Sequence, residues 1–337
     1  MNHITKSAVI KSIVIAALFP LILTACNKAE DKAEGSTATP TTVAAGGEAE
    51  TCGTVKFADI GWTDITATTA LSSTVLEGLG YKAESTIASV PIAFAGLKKG
   101  QIDAFLGYWS PSMTPILEPF LKEKAVTVLD KPNLVGAKYT LAVPTYAYEA
   151  GLKSFADIAK FSKELDGKLY GIEPGNDGNK LIADMITKDA FGLKDFKMVE
   201  SSEAGMLTEV SRSVKNKKWI VFLGWAPHPM NVQQDIVYLS GGDDFFGPNY
   251  GEAKVYTVTS NELATRCPNV NKFITNIEFN VGMENEVMLP IMDKVNPNEA
   301  AKAWLAKNPA ALDKWLDGVN TKDGKPGLAA VKTYLGV

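Results

Sequence analysis

Histidine and arginine are almost absent from this sequence: it holds only His3, His228, Arg212 and Arg266. Two imidazoles exclude a histidine-rich metal site. A Ser-His-Asp apparatus would have one candidate base, because His3 falls in a segment read below as removed. Anion recognition by arginine forks is equally short of material. Positive charge is also outnumbered, with Lys+Arg 34 against Asp+Glu 38 and a net charge of −4, which argues against a nucleic-acid partner. The apolar run Ile13–Leu23 is too short to span a bilayer comfortably. What remains is globular in composition, 46% hydrophobic and 21% charged over 337 residues, enough for roughly two domains. A binding protein without cofactor or metal fits these absences better than an enzyme.

The N-terminus reads as an address. Lys6 and Lys11 precede the apolar run, which ends in Leu23-Thr24-Ala25-Cys26. Small residues before a cysteine make residues 1–26 a lipoprotein signal peptide with its lipobox, Cys26 being acylated; a plain signal peptide cleaved elsewhere is the alternative. Its removal takes away two lysines and moves the net charge from −4 to −6. Residues 27–51 hold no large apolar residue except Val43 and read as a flexible tether. With Cys26 spent on lipid, Cys52 and Cys267 form an even pair in an oxidising compartment. They predict a disulfide, against the alternative of two buried free thiols.

From residue 54 onward, short apolar runs alternate with helical patterns, the signature of an α/β fold. Strands are predicted at Val55–Ile60, Ile102–Leu106, Tyr139–Val143, Leu169–Ile172, Trp219–Leu223 and Lys254–Val258. Helices are predicted at Ile65–Leu79, Ser154–Leu165, Asn179–Phe191, Pro297–Ala306, Ala310–Gly318 and Gly327–Leu335. One supersecondary unit recurs weakly: GLKKGQIDAFLGYWSPSM at 96–113 and SVKNKKWIVFLGWAPHPM at 213–230. Both lead from a basic helix end through an apolar strand into Phe-Leu-Gly, then Trp, then Pro. Ligands of open α/β sheets bind beyond the strands' carboxyl ends, so Trp109 and Trp225 would occupy equivalent places on either side of a cleft.

The six tryptophans sort by context. Trp304 and Trp315 lie in helical segments and Trp219 in a strand run, all best explained by packing. Trp62, Trp109 and Trp225 sit at Gly-rich strand exits, where core burial explains a large ring poorly. Several aromatic faces around one point suit a quaternary ammonium, which has no N–H to donate and a diffuse positive charge. Each desolvated ring contributes up to about 2 kcal/mol, so three or four approach the roughly −8 kcal/mol of a micromolar complex. Stacking on sugar rings is the alternative, but amide and charged hydrogen-bonders are few near these aromatics.

The segments GWTDITATTA (61–70), FLGYWSP (105–111), GAKYTLAVP (136–144), YGIEPGNDGN (170–179), VESSEAGM (199–206), FLGWAPHPMN (222–231) and LSGGDDFFGPNYG (239–251) carry a resemblance. Over about residues 52–336 the chain resembles the OpuAC-like substrate-binding proteins of choline and glycine-betaine ABC uptake systems, most closely the choline-binding branch. The resemblance implies a two-lobed, type II periplasmic-binding-protein fold with a hinge and an interlobe cleft. It implies an ammonium cage of Trp62, Trp109, Tyr139 and Trp225, with Asp64 and Asn176 holding the hydroxyl end. The family disulfide matches Cys52 and Cys267. It also implies permease and ATPase partners, a lipid-anchored periplasmic monomer and no chemistry on the ligand. Tyr108 departs from the pattern, where a smaller amide residue is expected.

Simpler roles stand beside these. Asp64 could cap the following helix, Tyr139 could pack on the sheet, and Asn176 could serve only its Pro-Gly-Asn-Asp-Gly turn. His228, between two prolines, reads as a rigid structural or rim residue rather than a ligand. Lobe one is assigned to 52–140 and 248–337, lobe two to 144–243, with hinges near 141–145 and 241–247. The rival functions are a receptor for glycine betaine, carnitine or another methylated amine, an enzyme acting on a quaternary amine, and a structural lipoprotein.

Overall fold

The computed structural model describes Glu48 and residues 50–337; the lipobox Cys26 and most of the tether lie outside the described residues. Nine strands form one sheet: β1 (Thr54–Asp59), β2 (Lys82–Ile87), β3 (Ala104–Ser110), β4 (Val126–Pro144), β5 (Lys168–Tyr170), β6 (Lys197–Val199), β7 (Phe222–Ala226), β8 (Ile236–Tyr238) and β9 (Glu252–Ser260). Their order is β2-β1-β3-β9-β4-β7-β5-β6, with β8 on β4.

The two ends of that order repeat one plan. β1 runs parallel to β2 and β3, and β3 runs antiparallel to β9. Likewise β5 runs parallel to β6 and β7, and β7 runs antiparallel to β4. The recurring sequence unit is therefore a recurring topological unit, with β3 and β7 in equivalent places. In both, the peptide that follows the strand is cis, at Ser110–Pro111 and Ala226–Pro227. The halves join through β4, which pairs with β9 from Val126 to Lys138 and with β7 from Lys138 to Ala142.

Most predicted elements appear with shifted ends, and the departures have local causes. β2, KAESTI, escapes prediction because it is an exposed edge strand with little apolar content. The strand expected at Tyr139–Val143 is the end of a 19-residue strand whose earlier part is irregular, with register shifts between Val128 and Ala137. Ser154–Leu165 is not an α-helix but a 3₁₀ stretch at Phe155–Phe161, where Phe155 and Ile158 are buried at the three-residue period of that helix. The strand expected at Trp219–Leu223 begins instead at Phe222; Trp219 stacks on Phe161 with ring centroids 4.8 Å apart.

The core of the first half is the helix Thr63–Gly78. Twelve of its 16 residues are buried, because the C-terminal helices Val281–Met292, Pro297–Lys307 and Gly327–Leu335 close over it. Trp315 is buried in this region and donates its indole N–H to the Glu278 carbonyl. Cys52 and Cys267 are disulfide-bonded, with Cα atoms 5.4 Å apart. Glu48, assigned by sequence to the tether, is held by the folded part: its carboxylate accepts from the Tyr81 hydroxyl and the Asn269 amide.

Candidate functional site

Each polar or aromatic wall of the central cavity comes from the end of a strand or the turn beyond it. At the end of β1, the Asp59 carboxylate accepts the Gly61 N–H at 2.7 Å and the Thr66 hydroxyl. Gly61 has φ +82°, a conformation that favours glycine, and this tight turn delivers Trp62 to the N-cap position of the helix Thr63–Gly78. Asp64 follows in the first turn. β3 supplies Trp109. Its neighbour Tyr108 points to the opposite side of the strand, where its hydroxyl meets Thr114 and its ring meets Tyr256. Tyr108 therefore does not line the cavity.

Tyr139 of β4 lies directly across from Trp225 of β7, and cross-strand partners project to the same face. Trp109 and Trp225 stand within the last residues of their strands rather than in the exit turns expected from their glycines. The turn after β5 is pinned by Asn179, whose side chain bonds both the N–H and the carbonyl of Ile172. That turn presents Asn176, which caps the helix Asp177–Thr187 by accepting the Asn179 N–H. The same Asn176 oxygen also accepts the Tyr139 hydroxyl at 3.0 Å, so the helix-capping role and a place in the cavity wall coexist.

One cavity is lined by Trp62, Asp64, Trp109, Tyr139, Ile172, Asn176, Asp177 and Trp225. All six site residues expected from sequence are thus brought together. Ring centroids are 5.9 Å apart for Trp109 and Tyr139 and 6.3 Å for Tyr139 and Trp225, the latter edge to face. Every cage ring is at least nine-tenths buried.

The electrostatics of the wall are one-sided. Among the described residues, no lysine or arginine lines the cavity. Burial pushes the Asp64 carboxyl up to about 8; the Glu203 carboxylate raises it further, and the backbone amides of Ile65 and Asp64 offset only part of this. Burial likewise pushes Asp177 up to about 6 and Glu173 to about 7. Glu284, buried in the helix Val281–Met292, is raised by burial and by Asp64. Asp64 Oδ1, Asp177 Oδ2 and Trp109 Nε1 are buried without a hydrogen-bond partner. Such atoms are costly unless something in the cavity answers them. An acceptor-rich aromatic box of this kind can hold an organic cation whose positive charge is spread over C–H groups.

A family model described as the substrate binding domain of ABC-type glycine betaine transport systems matches residues 53–307. The chain belongs to that family. Among solved structures, it is similar to an ABC-transporter choline binding protein in complex with choline, at 54% identity and a TM-score of 0.84 over 86% of this chain and 100% of that one. An ABC-transporter choline binding protein in an unliganded semi-closed conformation, with the same identity and the same coverage, gives a TM-score of 0.78. Lactococcal OpuAC, closed and complexed with glycine betaine, is 26% identical over 78% of this chain and 98% of that one, with a TM-score of 0.71. These likenesses bear out the type II periplasmic-binding-protein fold and the family expected from the sequence.

Two groups at the site were missed from sequence. Asp177 was passed over as a turn residue, although it adjoins Asn176. Glu203 was hidden in VESSEAGM; it is buried and accepts hydrogen bonds from Thr63. Of the two roles expected of His228, structural or rim, its position fits the structural one: it is buried, its ring centroid 5.0 Å from that of Trp225.

Proposed function

We propose that this chain is the extracytoplasmic receptor of an ABC importer and that its ligand is choline. One observation carries this reading: four aromatic rings and two unanswered carboxyl oxygens face one cavity to which, among the described residues, no cationic side chain contributes. The trimethylammonium group sits against Trp62, Trp109, Tyr139 and Trp225. Its hydroxyl end lies toward Asp64 and Asn176. Each desolvated ring contributes up to about 2 kcal/mol, and the carboxyls add a field that water no longer screens. The ligand leaves unchanged on this reading, in keeping with the substrate-binding family to which the chain belongs.

The remaining parts follow from the sequence. Cys26 carries the lipid that holds the receptor at the periplasmic face of a membrane, on the tether that ends near Glu48. Lobe one (52–140 and 248–337) and lobe two (144–243) close about hinges near 141–145 and 241–247. The receptor works as a monomer, and a permease and its ATPase receive the closed form. Glycine betaine is the second reading, supported by the family and by the free Trp109 N–H, a donor that a carboxylate would accept.

Tryptophan fluorescence and calorimetry with choline, acetylcholine, glycine betaine, carnitine and a sulfonate test the assignment. Choline should bind most tightly. Trp225→Ala should weaken it by about 30-fold, the equivalent of ~2 kcal/mol, while Trp304→Ala leaves it unchanged. Saturable sulfonate binding with indifference to choline overturns the proposal.

A further inference from the structure

Cage residues come from both halves of the sheet, and their mutual placement depends on contacts that cross between those halves. Two such contacts are present beside the cavity. The Trp62 indole N–H donates to Glu173 at 2.9 Å. One residue further on, the Thr63 amide donates to Glu203 Oε2 at 2.9 Å, and the Thr63 hydroxyl donates to Glu203 Oε1. Glu203 is the first residue of the helix Glu203–Lys215, and Thr63 is the first residue of the helix Thr63–Gly78. The positive ends of two helix dipoles therefore converge on one carboxyl group, which is 5% exposed. Among the described residues it has no lysine or arginine partner. Helix ends and hydrogen bonds carry its stabilisation instead.

The chain of contacts continues on the far side. The Met230 amide donates to His228 Nδ1 at 3.0 Å, so that nitrogen bears no proton and Nε2 carries the N–H that meets Glu203 Oε1 at 3.2 Å. His228 is 1% exposed and packs edge-on to Trp225. Glu203 thus bridges the backbone that carries Trp62 and Asp64 to the imidazole that backs Trp225. It lies outside the lining of the cavity and touches nothing that would enter it.

We propose that Glu203 is a positioning residue, a latch that joins the two halves of the aromatic cage through Thr63 and His228 and slows the release of a bound ligand. The inference rests on the receptor reading given above. It assigns to Glu203 the dissociation step and leaves ligand entry to the open cleft. Breaking the latch should therefore raise the dissociation rate and spare association, because the cage residues themselves are untouched.

Stopped-flow tryptophan fluorescence on wild type, Glu203→Ala and Glu203→Gln, with choline, glycine betaine and carnitine in turn, reads this directly. Glu203→Ala should release the best ligand about tenfold faster or more, with an association rate within about twofold of wild type. Glu203→Gln keeps one acceptor and should fall between the two. Ligand-free melting temperatures of the variants serve as the check on folding, and Glu203→Gln decides if the alanine variant unfolds. A ligand released by Glu203→Gln and Glu203→Ala at the wild-type rate overturns the latch alone. Equal losses in association and dissociation also overturn it, because they mark general disorder of the site. A wild type that binds none of the three ligands overturns the receptor reading and the latch together.

Discussion

Asp64→Asn, compared with wild type from about pH 6 to pH 9, should remove a pH dependence that the native cavity imposes on choline. Burial and the neighbouring Glu203 hold the Asp64 carboxyl at about 8, so in the empty site it carries a proton at neutral pH. A bound cation favours the ionised form, and the proton must leave as choline enters. The fraction of receptor with Asp64 ionised falls from about one half at pH 8 to about one hundredth at pH 6, which weakens apparent affinity by about 50-fold. That is ~2.3 kcal/mol. Glu173 at about 7 and Asp177 at about 6 act in the same direction and steepen the loss toward the acid end. Calorimetry in buffers of different ionisation enthalpy should detect about one to one and a half protons released per choline at pH 7, about 0.9 of a proton coming from Asp64. The asparagine variant should release about one proton fewer there and show a flatter profile. Glycine betaine supplies the opposite control, since its carboxylate accepts a hydrogen bond from protonated Asp64 and its binding should weaken as pH rises. Folding stability of the ligand-free chain has a definite sign as well. The folded Asp64 keeps a proton that the unfolded residue releases above its ordinary 3.8, so stability falls as pH rises between about 4 and 8, and Asp64→Asn flattens that fall. Choline binding that is flat with pH, with no proton released, would refute the reasoning.

Two further outcomes concern the scaffold. A Cβ on Gly178 would lie 2.0 Å from the Tyr139 hydroxyl oxygen, so Gly178→Ala should displace that ring; thermal melting should show a loss of ~1–3 kcal/mol and titration a weaker ligand, and unchanged affinity would mean that the place of Tyr139 matters little. The Cys52–Cys267 bond closes a sequence separation of 215 residues, which chain entropy values at up to ~5 kcal/mol. Cys52→Ser with Cys267→Ser should lower the melting temperature clearly, and an unchanged melt would place the cross-link outside the unfolding unit.

The α/β class and the three tryptophans of the cavity were legible in the sequence because both rest on local signals, whereas Tyr139, Asp64 and Asn176 were reached only through the family resemblance. Apolar runs with turn residues mark β1, β3 and β7, and tryptophans beside glycine are conspicuous. The repeat at 96–113 and 213–230 further indicated that Trp109 and Trp225 occupy equivalent places, which the mirrored strand order bears out. What stayed hidden depends on tertiary neighbours. β2 is held by pairing with β1 and by contact with the helix Thr63–Gly78, and its own residues carry no amphipathic pattern. Glu203 reads in sequence as an ordinary acidic residue at a helix start; its burial follows from Thr63, 140 residues away. Asp177 looks like half of a turn until the closed wall buries it. Trp109 and Trp225 were placed in loops because Gly107 and Gly224 looked like strand ends, whereas both glycines lie within strands. There a Cβ would meet Ile65 at Gly107 and Ala142 or Tyr238 at Gly224.

The two sides of the mirrored sheet draw on the chain differently. Each takes its three parallel strands from one uninterrupted stretch, β1–β3 from residues 54–110 and β5–β7 from residues 168–226. The first side alone also needs the far end of the chain. β3 lacks its antiparallel neighbour until β9 arrives, and the helix Thr63–Gly78 stays uncovered until the last helices dock on it. The bond from Cys52 to Cys267 therefore ties the earliest-made strand region to the latecomers, and the receptor is completed by its two ends meeting.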